Sequence, residues 1–358
     1  MTLEGLPKAA QAEHLTGALR RCGALSDGYV TAVVIESSRD TILSRIIRLR
    51  LSYDGALAYT PRSLILKTGL PERPEVHWNS GHRETAFYQQ VGAVMSARVV
   101  PRCFEAAADV DAKMWHLLLE DLTDSHFTLG NWPLPPTLEQ SKQIITARAR
   151  FHAEWWDDPR LGASVGNWST HDSQYFELLS QKVAWFADLI GERLSPERRD
   201  FYRRLIDAGP RLTRRYHSHR NVTVVHGDAH VWNVFLPRAD GGDGVRFFDW
   251  DAWRLGTGTD DLAYMMALHW YPDHRRRDEL KLLDHYHMTL SASGVAGYDR
   301  RALDDDYRLS VLWQTTIPVW QAAYDIPSWI WWHHLERIFM AVDDLGCEQL
   351  LCKQSDGG

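Results

Sequence analysis

The stretch that most constrains this chain runs from Val222 to Trp250. Two short apolar runs with strand character, Val222 to Val225 and Val245 to Phe248, flank the loop His226-Gly227-Asp228-Ala229-His230-Val231-Trp232-Asn233 and the turn-rich separator Ala239 to Gly244. A loop leaving a rigid strand can present side chains in fixed directions. Around this island, from a helix at about Leu138 to Trp156 onward, the periodicity is helical. The first third reads differently. A helix over residues 8–22 ends at Gly23, and three strand-like runs follow: Tyr29 to Glu36, Ile42 to Leu51 and Ser63 to Lys67. Polar turns at Ser37-Ser38-Arg39-Asp40 and around Asp54-Gly55 separate them. A second helix is expected over Ser80 to Val91 and a further strand over Met114 to Leu119. A loop containing Gly130, Pro133, Pro135 and Pro136 then leads into the helical part. The order predicts an α+β chain in two lobes, a small β-rich one over 1–120 and a larger helical one over 121–358 that contains a β-hairpin.

Composition narrows the function classes. A formal charge of −7 gives no general attraction to nucleic acid or anionic membrane, so phosphate chemistry would need locally placed cations. No stretch approaches 18 uncharged apolar residues and no signal-peptide pattern opens the chain, so neither a membrane span nor export is expected. Cys22, Cys103, Cys347 and Cys352 are scattered with no CxxC pair, which fits a reduced, cytoplasmic setting.

Asp228 and Asn233, five residues apart on one loop, suit two tasks in phosphoryl transfer. Asp228 can accept the proton of an attacking hydroxyl, and Asn233 offers an oxygen to Mg²⁺. Asp249, sixteen residues beyond Asn233 at the end of the second strand run, is a natural second metal ligand. A bare His-Gly-Asp is also a common turn, so the weight rests on the combination.

The segment HGDAHVWN, followed by FFDWDAWRLGTGTDDLAY, resembles the signature of the aminoglycoside phosphotransferase and choline kinase superfamily, nearest its bacterial ecdysteroid-kinase-like branch. The resemblance implies a bilobal protein-kinase-like fold that uses ATP and Mg²⁺ to phosphorylate a small hydroxylated acceptor. It implies Asp228 as catalytic base, Asn233 and Asp249 as metal ligands, and His226 and Asp261 as structural support of the loop. Lys67 matches the lysine that holds the α- and β-phosphates, and Glu84 its helix partner. Leu119-Glu120-Asp121-Leu122 resembles the interlobe hinge, where backbone groups of Glu120 and Leu122 would meet adenine. The turn Ser37 to Thr41 departs from the protein-kinase pattern, having no glycine to let the backbone approach phosphate.

Sixteen tryptophans are unusual, and Trp313, Trp320, Trp329, Trp331 and Trp332, with Tyr324 and Phe339, read either as core or as an aromatic wall for an acceptor. The acidic positions Asp304, Asp305, Asp306 and Asp325 could read amines or simply face solvent. The histidine pairs His217/His219 and His333/His334 lack metal-ligand spacing and read as surface or core. The alternative to a kinase is a nucleotide-binding pseudokinase without turnover; oligomeric state is open.

Overall fold

A computed structural model describes residues 7–55, 59–70, 78–130, 134–238 and 244–352. Pro133 of the proline-rich loop and residues 239–243 of the separator lie outside them. The architecture is α+β, with one β-rich and one mainly helical part. The strands are β1 (Tyr29–Asp40), β2 (Ser44–Asp54), β3 (Ser63–Gly69), β4 (Cys103–Asp109), β5 (Met114–Glu120), β6 (His126–Thr128), β7 (Thr223–Val225), β8 (Val234–Pro237), β9 (Arg246–Phe247) and β10 (Arg254–Gly256). The helices are α1 (Ala12–Arg21), α2 (Trp78–Phe87), α3 (Leu138–Glu154), α4 (Ser173–Ile190), α5 (Pro196–Leu212), α6 (Arg214–His217), α7 (Gly258–Ala263), α8 (Pro272–Ala292), α9 (Arg300–Gln314), α10 (Ile317–Ala323) and α11 (Ser328–Asp344).

Two compact units emerge: one comprises residues 1–130 with 232–253, the other residues 131–231 with 254–358. The sequence reading placed one boundary at 120/121; the compact units divide the chain in three places.

In the first unit five antiparallel strands lie in the order β1-β2-β3-β5-β4. Helix α1 buries Leu15, Ala18 and Leu19, spaced to share one face, in a core with Leu49, Leu64 and Leu66. The polar run Ser37 to Asp40 is not a turn. It continues β1, paired through Asp40 opposite Arg45, and the chain reverses at Thr41 to Leu43 instead. Polar cross-strand partners make this possible: Arg45 Nε donates to Asp40 at 2.7 Å and Arg50 pairs with Glu36. An exposed edge strand carrying charges shows no apolar alternation, so its sequence looks like a turn. The alanine-rich β4 escaped prediction for a similar reason. It is held to β5 and α1 by Glu105, which receives His116 at 2.8 Å, His14 at 2.6 Å and Arg21 at 2.6 Å.

The expected hairpin of Val222–Val225 with Val245–Phe248 does not form. β9 pairs with β8, which follows the loop directly and continues to β6, while β7 takes β10 as its antiparallel partner. The short β8 lies nearer along the chain and closes the tighter hairpin.

The second unit is helical around β7 and β10. Its helices start where the chain supplies caps: Thr137 and Gln140 form a reciprocal capping box for α3, and Ser195 with Pro196 opens α5. Residues 258–268, comprising α7 and a wider π-type turn, are buried throughout. No helix of the described residues is long and apolar enough to cross a membrane.

Candidate active site

In the first unit Lys67 projects from β3, the middle strand of the sheet, and is 8% exposed. Its Nζ donates to Asp249 Oδ1 at 2.6 Å and lies 2.7 Å from Glu84 Oε2, on α2. Burial disfavours the lysine's charge, yet Glu84 and Asp249 outweigh it and hold Lys67 above the ordinary lysine range. For Glu84, itself 2% exposed, burial dominates and pushes its carboxyl up against the pull of Lys67. Two carboxylates on one ammonium leave Asp249 shared, so it can change partner while Lys67 stays paired.

Asp249 sits at φ 67°, in the left-handed region that Asp tolerates better than most residues. Two tryptophans directly after it anchor the turn. Trp250 stacks on Phe87 of α2 with ring centroids 3.9 Å apart, and its Nε1 donates to the Phe247 carbonyl at 3.1 Å. Trp253 Nε1 donates to the Arg83 carbonyl at 2.8 Å, and Arg83 returns a bond to the Trp253 carbonyl at 2.9 Å. These contacts fasten the helix that carries Glu84 to the turn that carries Asp249. Trp250 and Trp253 were missed as functional positions; the WDAW run directly after Asp249 was the available signal. The helix also approaches the sheet closely at Gly81, where a Cβ would stand 1.9 Å from Trp115.

Asn233 is buried, and its carbonyl accepts from the Phe248 N–H at 3.1 Å. The β8–β9 register therefore sets Asn233 beside the residue that precedes Asp249. Of the hinge candidates, Glu120 donates its N–H to Arg102 at 2.8 Å, and the Leu122 carbonyl accepts from His126 at 2.9 Å.

In the second unit the loop after β7 is held by Asp261, which is 1% exposed and belongs to α7. Its Oδ2 accepts from the His226 N–H at 2.9 Å and its Oδ1 from the Gly227 N–H at 3.0 Å. Arg148 Nη1 donates to Oδ2 at 2.6 Å and reaches the Ala229 carbonyl with Nη2 at 3.2 Å. Burial acts to raise the Asp261 carboxyl, but Arg148 and His152 prevail and keep it far below the usual range. Gly227 turns the chain at φ 82°.

This turn delivers Asp228. Its Oδ1 accepts from Tyr264 Oη at 2.6 Å, and Oδ2 lies 3.4 Å from His230 Nε2. Burial again pushes upward, and His230 with Tyr264 overcomes it, so the carboxyl stays well below the usual range. His230 therefore faces the catalytic candidate. Behind it stand His269, with ring centroid 5.4 Å from that of His230, and His334, 4.4 Å from His269. Of the pair at 333–334, His334 is buried and bonded to Gln321 at 2.8 Å, whereas His333 is exposed. Tyr264 was missed: it lies three residues past Asp261, on the same turn.

The aromatic group divides. Trp313 and Trp320 line a cavity, Trp331 and Phe339 are buried, and Trp329 and Tyr324 are exposed. Asp306 is committed to Arg215 at 2.6 Å and Tyr298 at 2.9 Å, and Asp304 to Arg300.

Solved structures share this arrangement of elements. A protein assigned as an aminoglycoside phosphotransferase from Ralstonia eutropha aligns with TM-score 0.56 at 14% identity, over 94% of this chain and 97% of that one. The fold is that of the aminoglycoside phosphotransferases and choline kinases. A choline/ethanolamine kinase family protein from Mesorhizobium loti aligns with TM-score 0.51 at 12% identity, covering 88% of this chain and 90% of its own. Choline kinase from Cryptosporidium parvum gives 0.52 at 8% identity, with 94% and 97% covered. The model of the ecdysteroid kinase-like family matches residues 171–294, which include the Asp228 loop and the Asp261 turn. No curated protein is similar in sequence to this chain. The kinase-like fold thus agrees with the resemblance carried by HGDAHVWN.

Proposed function

We propose that this protein transfers the γ-phosphoryl group of ATP to a hydroxyl of a small molecule. The observation that carries the reading is the set of buried Lys67 and Glu84 with the half-open Asp249, a cation and two carboxylates assembled from a strand, a helix and the turn after a strand. In that role Lys67 meets the nucleotide phosphates and Glu84 keeps it aligned. Backbone groups of Glu120 and Leu122 meet adenine. On this reading residues 1–120 bind nucleotide, while 121–358 supply the catalytic loop, the metal-binding side chains and the acceptor pocket.

The oxygens of Asn233 and Asp249 suit Mg²⁺, a hard cation that prefers carboxylate and carbonyl ligands. Asp249 fits because its carboxylate is partly open, at 40% side-chain exposure, and already balances a cation. Mg²⁺ would supply neutralisation of charge on the phosphates.

Asp228 orients the acceptor hydroxyl and takes its proton as the oxygen–phosphorus bond forms and the bond to the ADP oxygen breaks. A carboxylate held well below the usual range is ionised throughout the working pH but is a weak base. It therefore acts by orientation first and accepts the proton late, which suits a loose phosphoryl-transfer transition state. Tyr264 and His230 fix its two oxygens, and Asp261 with His226 fixes the loop beneath it.

The test is ADP release with Mg-ATP across amino alcohols, sugars, aminoglycosides and hydroxylated ring compounds. Asp228→Asn is expected to lose about 10³-fold or more in kcat with nucleotide affinity kept. Undiminished turnover in that variant removes Asp228 from the mechanism. Mg-ATP binding without turnover on any acceptor favours the pseudokinase reading.

A further inference from the structure

One cavity, of about 200 Å³, is lined by described residues of the unit that carries Asp228, with neither Tyr264 nor His230, the side chains beside the Asp228 oxygens, among them. Trp168, Tyr216, Trp313 and Trp320 give it aromatic walls, with His171 and Arg254 among them. Trp168 is itself fixed by stacking on His219, with ring centroids 3.9 Å apart.

Its polar groups are unevenly satisfied. Asp260 is already engaged: Oδ1 accepts from Ser310 at 2.7 Å, Thr257 at 3.2 Å and Tyr216 at 3.4 Å, and Oδ2 from Arg254 Nη2 at 3.0 Å. Four other lining side chains keep a polar atom without a hydrogen-bond partner among the described residues: Arg254 Nη1, Trp313 Nε1, His171 Nδ1 and Gln314 Oε1. Two of these atoms are donors and cannot be anything else, and one belongs to a guanidinium. Unmet donors in a walled cavity are costly unless water or a ligand supplies acceptors, and an anionic ligand supplies the stronger ones. A cationic ligand finds Asp260, the one lining carboxylate among the described residues, already paired with Arg254.

Size completes the argument. A cavity of about 150 Å³ takes one benzene ring, so this one, partly open to solvent, encloses one ring and leaves a fused second ring to extend toward its mouth.

We propose that this cavity is a binding site for a fused-ring aromatic carboxylate. The rings lie against the tryptophan walls, and the carboxylate meets Arg254 Nη1 and Trp313 Nε1. A ring N–H or hydroxyl, where the ligand has one, meets Gln314 Oε1.

The test is titration of the full-length protein with 2-naphthoate and with 2-naphthylmethylammonium, followed by tryptophan fluorescence and calorimetry. The expected result is one saturable naphthoate site, at least about tenfold tighter than the ammonium probe. Trp320→Ala and Arg254→Gln should each weaken naphthoate at least about tenfold. Asp228→Ala should leave it unchanged, so the result is independent of whether Asp228 is catalytic. Three outcomes overturn the proposal: no saturable naphthoate binding, equal affinity for the cation, or naphthoate affinity untouched by Trp320→Ala. Trp320 is only half-buried, so its replacement remains informative if Arg254→Gln does not fold.

Discussion

Both units bury charge, but they balance it differently. Around Lys67 the partners are side chains only, with one ammonium facing two carboxylates. Around Asp261 the partners are two backbone N–H groups, a guanidinium and a histidine. A side-chain pair can be exchanged for a ligand without disturbing the chain path. A carboxylate that grips backbone cannot let go without releasing the loop it holds. The first arrangement suits a site that must admit phosphate; the second suits a support that must not move.

Substitutions can break this contrast. Asp261→Ala leaves Arg148 buried without its carboxylate and two loop N–H groups unpaired, and should cost about 3–5 kcal/mol in urea unfolding. Glu84→Gln leaves Lys67 paired with Asp249 and should cost about 1–3 kcal/mol, while raising the KM for ATP. Equal losses from the two would erase the distinction. Gly81→Ala probes the frame of the first unit through Trp115 and should cost about 1–3 kcal/mol, read as a lowered Tm.

Acid should act mainly on the second unit. Burial lowers His269 well below its ordinary value and His334 to about 3, so both stay neutral when folded and protonate when unfolded. Stability is then full above the ordinary histidine value, about 6.5, and falls as pH drops from there toward 3. The slope is about 1.4 kcal/mol per pH unit for each histidine. His334→Asn should flatten it, measured by urea unfolding across pH 7 to 4. The smallest effect should come from Glu105→Gln. Its carboxyl is half-buried, and the His116, His14 and Arg21 hydrogen bonds overcome that burial and hold it at about 2. Its loss should remove about 1 kcal/mol, seen at neutral pH and absent below the carboxylate range.

Much of this was legible in the sequence because the relevant signals are local. The loop with Pro135 and Pro136 marks the helix start at Leu138, and the β-rich then helical order gives the class. The loop that carries Asp228 and the turn that carries Asp249 read correctly as segments following strands, since Val222–Val225 and Val245–Phe248 are rich in β-branched and aromatic residues, each with one polar interruption, Thr223 and Arg246. What was not legible depends on partners far along the chain. β1 reaches Asp40 only because Arg45 and Arg50 wait on β2, and β4 is a strand only because β5 and α1 supply the groups that Glu105 binds. Pairing choice among four short strands, and the reach of Tyr264 back to Asp228, are likewise set by tertiary geometry.

The segment 232–253 completes the first unit from more than a hundred residues downstream. During synthesis the five-stranded sheet can emerge whole, but Phe87 must wait for Trp250 and Lys67 for Asp249. Until then a ribosome-bound chain shows an uncovered aromatic face on α2 and a lysine with half its counter-charge. The unit that holds Lys67 is therefore translated early and completed late, after helices α3 to α6 have been made.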